Sequence, residues 1–265
     1  MKNKNFIALC LLALTISIYG NEKSSFAIPL RIEPAAVYTK IRIDGQGVEK
    51  REDNIYEREK QGSIEGEFKF FEYFSVKAGT TKTQWEKSDS ATLTQQSRLN
   101  VGLKFASEHK FSSGAFVWGG GVRGFDKQSP KYAREGVAPE LYLIRPNLNL
   151  GLKLGDFEAI IDLQMQSETN KAFKENQQEQ FRRYYQGGLA LSYGLTENFR
   201  LFAETECRKP YNSSIDVNSK FWNVYPGFSY QIYKGGFISA SLQFPVIEER
   251  LMDRGARISY FHVFE

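Results

Sequence analysis

Between Pro139 and Glu168 apolar and polar residues take turns along the chain. Ile144, Pro146, Leu148, Leu150, Leu152 and Leu154 form an apolar file, with Arg145, Asn147, Asn149, Gly151 and Lys153 between them. After the turn pair Gly155-Asp156, Phe157, Ala159, Ile161, Leu163 and Met165 alternate with Glu158, Asp162, Gln164 and Gln166. A period of two marks a strand with one apolar and one polar face, so this stretch predicts a hairpin. Each arm is about ten residues, whereas strands of soluble domains average about 5–6. A tilted strand needs about 9–11 residues to cross a bilayer.

The same unit recurs. Alternation predicts strands over 35–44, 62–70, 75–85, 92–106, 111–125, 181–193, 199–208, 220–232, 237–246 and 255–264. With the opening hairpin this makes about twelve strands, from the hairpin signals. Short turns are expected at 71–74, 107–110, 155–156, 196–198 and 233–236. Between them lie longer polar connections, including the charged tract 45–61 and the stretch 126–138; the connection near 86–90 is the short exception. Long and short connections that alternate in this way put both chain ends at the short-turn side.

A soluble sandwich would also alternate. These strands are too long and uniform for that, and the apolar face continues round nearly every hairpin. Aromatics gather near the short turns, among them Phe68, Phe70, Phe71, Tyr73, Phe74, Phe157, Tyr193, Phe199, Tyr230 and Tyr233. An interfacial aromatic belt belongs there. An open sheet edge in lipid would leave backbone groups unpaired, so the sheet must close. The fold class expected is all-β: a closed antiparallel up-and-down transmembrane barrel.

The N-terminus departs from the pattern. Lys2 and Lys4 precede an apolar run from Phe6 to Tyr19, followed by Gly20, Asn21 and Ser24. This reads as a secretory signal peptide over 1–20, cleaved after Gly20 or after Ala27. The rest, 21–265, is read as the barrel, led by a short periplasmic segment of about 21–33. Losing Lys2 and Lys4 takes the formal charge from +4 to +2, which leaves no basic stripe for nucleic acid. Only Cys207 then remains, so no internal disulfide forms. Export and 14% aromatic content fit a bacterial cell envelope.

The chain resembles bacterial outer-membrane β-barrel proteins over about 30–264. Its end, Ser259 to Phe264 (SYFHVF), looks like the signal that the barrel assembly machinery reads in such proteins, except that Glu265 follows the aromatic. The segments 191–206 (LSYGLTENFRLFAETE) and 223–230 (NVYPGFSY) are similar to transporters of the phenol-degradation meta-pathway family. The resemblance implies an outer-membrane location in contact with lipid, and a monomer is the oligomeric state expected.

The polar files are expected to point inward. They carry Lys40, Arg42, Glu65, Glu67, Arg98, Lys104 and Arg145, and then Lys153, Glu158, Asp162, Arg182, Arg200, Glu204 and Glu206. Lys153 and Glu158 should face each other across the tight hairpin, which favours pairing. These residues either set the selectivity of a lumen or ion-pair to fill it; about twelve strands leave at most a narrow bore.

An enzyme is not expected. His109 is read in a turn and His262 in the closing strand, neither with a partner at a readable spacing. No metal-ligand spacing and no cofactor motif is found; Gly119, Gly121 and Gly124 match G-x-G-x-x-G, but no helix follows. The expected function is a narrow channel or transporter for small solutes. The alternative is a surface adhesin or structural barrel that binds partners through 45–61 and 126–138.

Overall fold

A computed structural model of the chain describes residues 26–30, 33–52, 55–87, 94–125, 129–130, 141–170, 180–213, 221–247 and 254–264. The expected signal peptide and most of the 126–138 stretch lie outside them. All regular structure among the described residues is strand: β1 (Lys40–Glu52), β2 (Ile55–Phe71), β3 (Phe74–Lys87), β4 (Thr94–Phe111) and β5 (Gly114–Phe125) come first. A two-residue β6 (Ser129–Pro130) pairs with Gln96 and Ser97 at one end of β4. Then follow β7 (Leu141–Leu154), β8 (Phe157–Asn170), β9 (Gln180–Gly194), β10 (Phe199–Ser213), β11 (Phe221–Tyr233), β12 (Gly236–Pro245) and β13 (Arg254–Val263).

Leaving β6 aside, twelve antiparallel strands each pair with their sequence neighbours, and β1 pairs with β13 from Lys40↔Val263 to Glu49↔Arg254. The sheet therefore has no edge: it is a closed up-and-down barrel, as the alternation predicts. Short turns gather at one end, two of them through glycines in the left-handed region, Gly155 at φ 56° and Gly235 at φ 80°. That conformation costs glycine little and other residues more.

The barrel is apolar outside and charged inside. Leu103, Leu148 and Ile258 are 57%, 48% and 58% exposed, while Lys40 and Glu158 are 2% and 1% exposed. An apolar belt that runs round the whole cylinder is a lipid-facing surface, since soluble monomers expose only limited apolar patches. Exposed aromatics crowd the short-turn end, with Phe70, Phe71, Tyr73, Phe74, Phe111, Phe157, Tyr193, Tyr230 and Tyr233. Trp222, Tyr185 and Tyr211 lie outward toward the other end, the two tyrosines stacked with centroids 4.1 Å apart.

Four details differ from the sequence reading. β1 begins at Lys40, not at residue 35, because 35–39 leave the sheet for the interior. The tract 45–61 is not a loop: β1 and β2 stay paired to Glu52↔Ile55. Beyond the hydrocarbon layer a strand needs no apolar face, so its charges hide it from a pattern search. The turn after β4 is Ser112-Ser113, and the polar run 107–110 belongs to the strand. Lastly, the segment expected as a short periplasmic tail lies inside the barrel from Phe26 onward.

Candidate functional site

Phe26–Leu30 and Glu33–Thr39 run through the lumen without joining any strand. Backbone groups buried outside a sheet need other partners. Lumen carboxylates accept from their N–H groups: Ala27 to Glu158 at 2.8 Å, Leu30 to Glu204 at 2.6 Å, Glu33 to Asp162 at 3.1 Å and Tyr38 to Glu67 at 3.2 Å. Lumen cations donate to its carbonyls: Lys104 to Pro34 and, at 2.5 Å, to Ala36, and Arg42 to Leu30 and, at 3.2 Å, to Pro29. The Tyr38 hydroxyl donates to the Phe26 carbonyl at 2.9 Å, which ties the two ends of the segment together.

Glu33 of this re-entrant loop borders the loop-side cavity. It is ion-paired with Lys77, and Lys104 and Arg123 both lie 3.5 Å from its carboxylate. Burial works against its charge, but Lys77, Lys104, Arg123 and Lys40 together hold the carboxyl well below its ordinary value of 4.5. Glu67 extends the network, 2.9 Å from Lys40 and 3.5 Å from Lys77.

Toward the short turns part of the lumen is an apolar cluster, which the alternation does not anticipate. Phe26, Ala35, Ala36 and Val37 of the segment pack against Ala106, Ala115, Val117, Ile160, Ala190, Phe261 and Val263 of the wall. The fit is tight at Gly151, where a Cβ would lie 2.6 Å from Val117 and 3.0 Å from both Ala35 and Phe26.

Two cavities border the segment among the described residues. The one toward the loops has a volume of about 370 Å³; Leu30, Glu33 and Pro34 form its floor, and its wall holds five arginines (42, 123, 145, 208, 257), Asp44, Glu65, Glu206 and many side-chain amides. The one toward the short turns, about 200 Å³, is bounded by Phe26, Ile28, Tyr38, Glu158, Arg200, Phe237 and Phe261.

Of the residues expected to line the lumen, Lys40, Arg42, Glu67, Lys104, Glu158, Asp162, Glu204 and Glu206 are buried inside. Glu65, Arg145, Lys153 and Arg200 are half-buried at the same inward positions. Arg98 and Arg182 lie on β4 and β9, with side chains outside the described residues. Lys153 pairs with Glu158 across the β7–β8 turn at 3.3 Å, and Arg200 joins them from β10 at 3.2 Å. Glu33, Asp44, Lys77, Arg123, Arg208 and Arg257 also face the interior but are not among the lumen residues expected from the sequence. All but Glu33 stand in the inward files and are found by extending the parity; Glu33 lies where no period runs.

One expectation about histidine needs correction. His109 is on β4, and its Nε2 lies 3.3 Å from the Ser107 hydroxyl, so it does have a serine partner on the outer face. Among the described residues no carboxylate is hydrogen-bonded to it. Among the described residues no group of three His, Cys, Asp or Glu side chains is placed to hold a metal ion.

Comparison with known proteins fits this geometry. The COG4313 outer membrane channel from Pseudomonas putida F1 superposes with a TM-score of 0.66 at 13% identity, covering 90% of this chain and all of that one. The fold is that of the outer-membrane β-barrels. The beta domain of the Bordetella autotransporter BrkA is also similar, with a TM-score of 0.51, 11% identity and coverage of 85% and 100% of the two chains. No protein-family model matches the sequence, and no curated protein is significantly similar to it.

Proposed function

We propose that this β-barrel is an outer-membrane channel or transporter for small solutes, with its short turns in the periplasm and its bore set by the segment Phe26–Tyr38. The observation that carries the reading is the charged lumen itself: cavities of about 370 and 200 Å³ lie on either side of a loop. The contacts described for that loop are hydrogen bonds, ion pairs and apolar packing, which thermal motion can break and remake. A barrel with only a structural role has no need of a polar cavity on the loop side. The neighbouring channel and autotransporter barrels share the fold, which supports the location without naming a solute.

Planar-bilayer recording tests this. The wild-type protein should show small, resolvable conductance steps. A variant with 26–38 replaced by a Gly/Ser linker of equal length should conduct several-fold more. Silence from both, with the barrel folded, ends the channel reading.

The rival role, partner binding at the cell surface, has one observation behind it. The β1–β2 ladder runs as far as Glu52↔Ile55, braced by Glu49 with Arg58 at 3.3 Å and with Arg254 at 3.2 Å. Replacing 50–55 with Gly/Ser should leave conductance unchanged and abolish any cell-surface adhesion the protein confers.

A further inference from the structure

We propose that the loop-side cavity is a binding site for a small sugar acid: one carboxylate on a polyhydroxylated body. The proposal deepens the channel reading by naming a solute class, and it rests on that reading only for the solute's fate.

The first observation is a rung of inward side chains at one height. The registers place Asn147 beside Gln164, Gln164 beside Gln186, Gln186 beside Arg208 and Arg208 beside Phe221, across five consecutive strands. All five line the cavity. Each amide offers both donors and an acceptor, which suits hydroxyl groups that need both.

The second is the state of Arg208. Its guanidinium lies 4.7 Å from the Tyr184 ring and 4.8 Å from the Phe221 ring, held by cation–π contact. No described carboxylate is ion-paired with it, and its buried Nε lacks a hydrogen-bond partner, as does the buried Oε1 of Gln164. A lining cation fixed by aromatic rings suits an anion able to make paired hydrogen bonds to a guanidinium.

The third is the charge balance of the cavity among the described residues, five arginines against four carboxylates when Glu33 of the floor is included. The carboxylates are engaged: Asp44 is shared by Arg42 at 2.8 Å and Arg257 at 2.9 Å, and Glu206 accepts from Gln186 and, at 3.2 Å, from Tyr225. A surplus of about one positive charge matches a monocarboxylate better than a phosphate dianion. A plain fatty acid would leave the amides desolvated and unpaired, a costly arrangement. The volume, about 370 Å³, falls within the range of small-ligand sites, roughly 300–1,000 Å³.

Isothermal titration calorimetry on the full-length protein in detergent tests the site with D-glucuronate, D-glucose, butyrate and inorganic phosphate. Glucuronate should bind at least tenfold more tightly than the other three. Arg208→Gln and, independently, Gln164→Leu should each weaken glucuronate at least tenfold, in protein shown to be folded by its heat-shifted gel mobility. Equal affinity for glucose, tighter binding of phosphate, or unchanged affinity in both variants overturns the proposal. Conductance without glucuronate binding sinks this site and leaves the channel standing. Binding without conductance in the wild type or the linker variant does the reverse.

Discussion

Glu33 is where four cations of the wall converge on a single carboxylate of the segment. Removing one partner of a buried pair costs about 3–5 kcal/mol, because the other charges stay behind. Glu33 still touches the loop-side cavity, so the lower figure applies, and about 3 kcal/mol is roughly a hundredfold in population. Glu33→Gln should therefore raise the rate of protease cleavage within 26–38 by about that factor while the strands stay resistant. Limited proteolysis in detergent reads this directly. The pH dependence has a fixed sign. Because the docked carboxyl is held below its ordinary value of 4.5, its contribution is complete above that value and fades as pH falls through the lowered one. Conductance should stay flat from neutral to mildly acidic pH and rise only below about 4.5, and Glu33→Gln should remove that rise. Bilayer recordings across a pH series check both.

Among the elements, β7 carries a constraint on the re-entrant segment itself. A side chain at Gly151 would enter the space of Val117, Ala35 and Phe26. Gly151→Leu should expel the segment without opening the barrel: conductance approaches that of the linker variant, and the heat-shifted mobility is retained. An unchanged conductance would show that the apolar end of the lumen can repack. The strands themselves are readable from residues such as Leu148 and Asn149, because a lipid-facing wall enforces alternation at every step. Where lipid stops, the signal stops. Gly45 to Gln61 looks like a loop because its outward face meets water, yet the ladder of β1 and β2 runs on. Val37 and Thr39 keep a strand's period, but the chain there has already turned inward, and an extended segment shows the same period whether or not it is paired. Glu33 escapes for a related reason: its meaning comes from Lys77, Lys104 and Arg123, which lie 44 or more positions away in sequence.

For the whole molecule, stability depends on a cylinder that is apolar outside and satisfied inside. Leu148 stands near the middle of β7 and is 48% exposed on the outer face. Leu148→Arg should destabilise the barrel by about 2–4 kcal/mol, the cost of a cation near the bilayer midplane. Denaturant titration in lipid vesicles measures it, and a neutral result would mean that this face does not meet lipid. The final seam is the pairing of β1 with β13. We expect the barrel assembly machinery to read the aromatic end of β13, so that deleting 254–265 leaves no heat-shifted form.

The re-entrant segment leads straight into β1, one side of that seam. A newly made chain therefore faces an ordering problem. Sealed first, the cylinder would have to admit a peptide through a mouth crowded by Phe237, Phe261 and Val263. Wrapped first around its own leading residues, it acquires a mandrel that neutralises the inward charges before the last ladder zips. Birth around an internal template would make the finished wall a record of what it was folded upon.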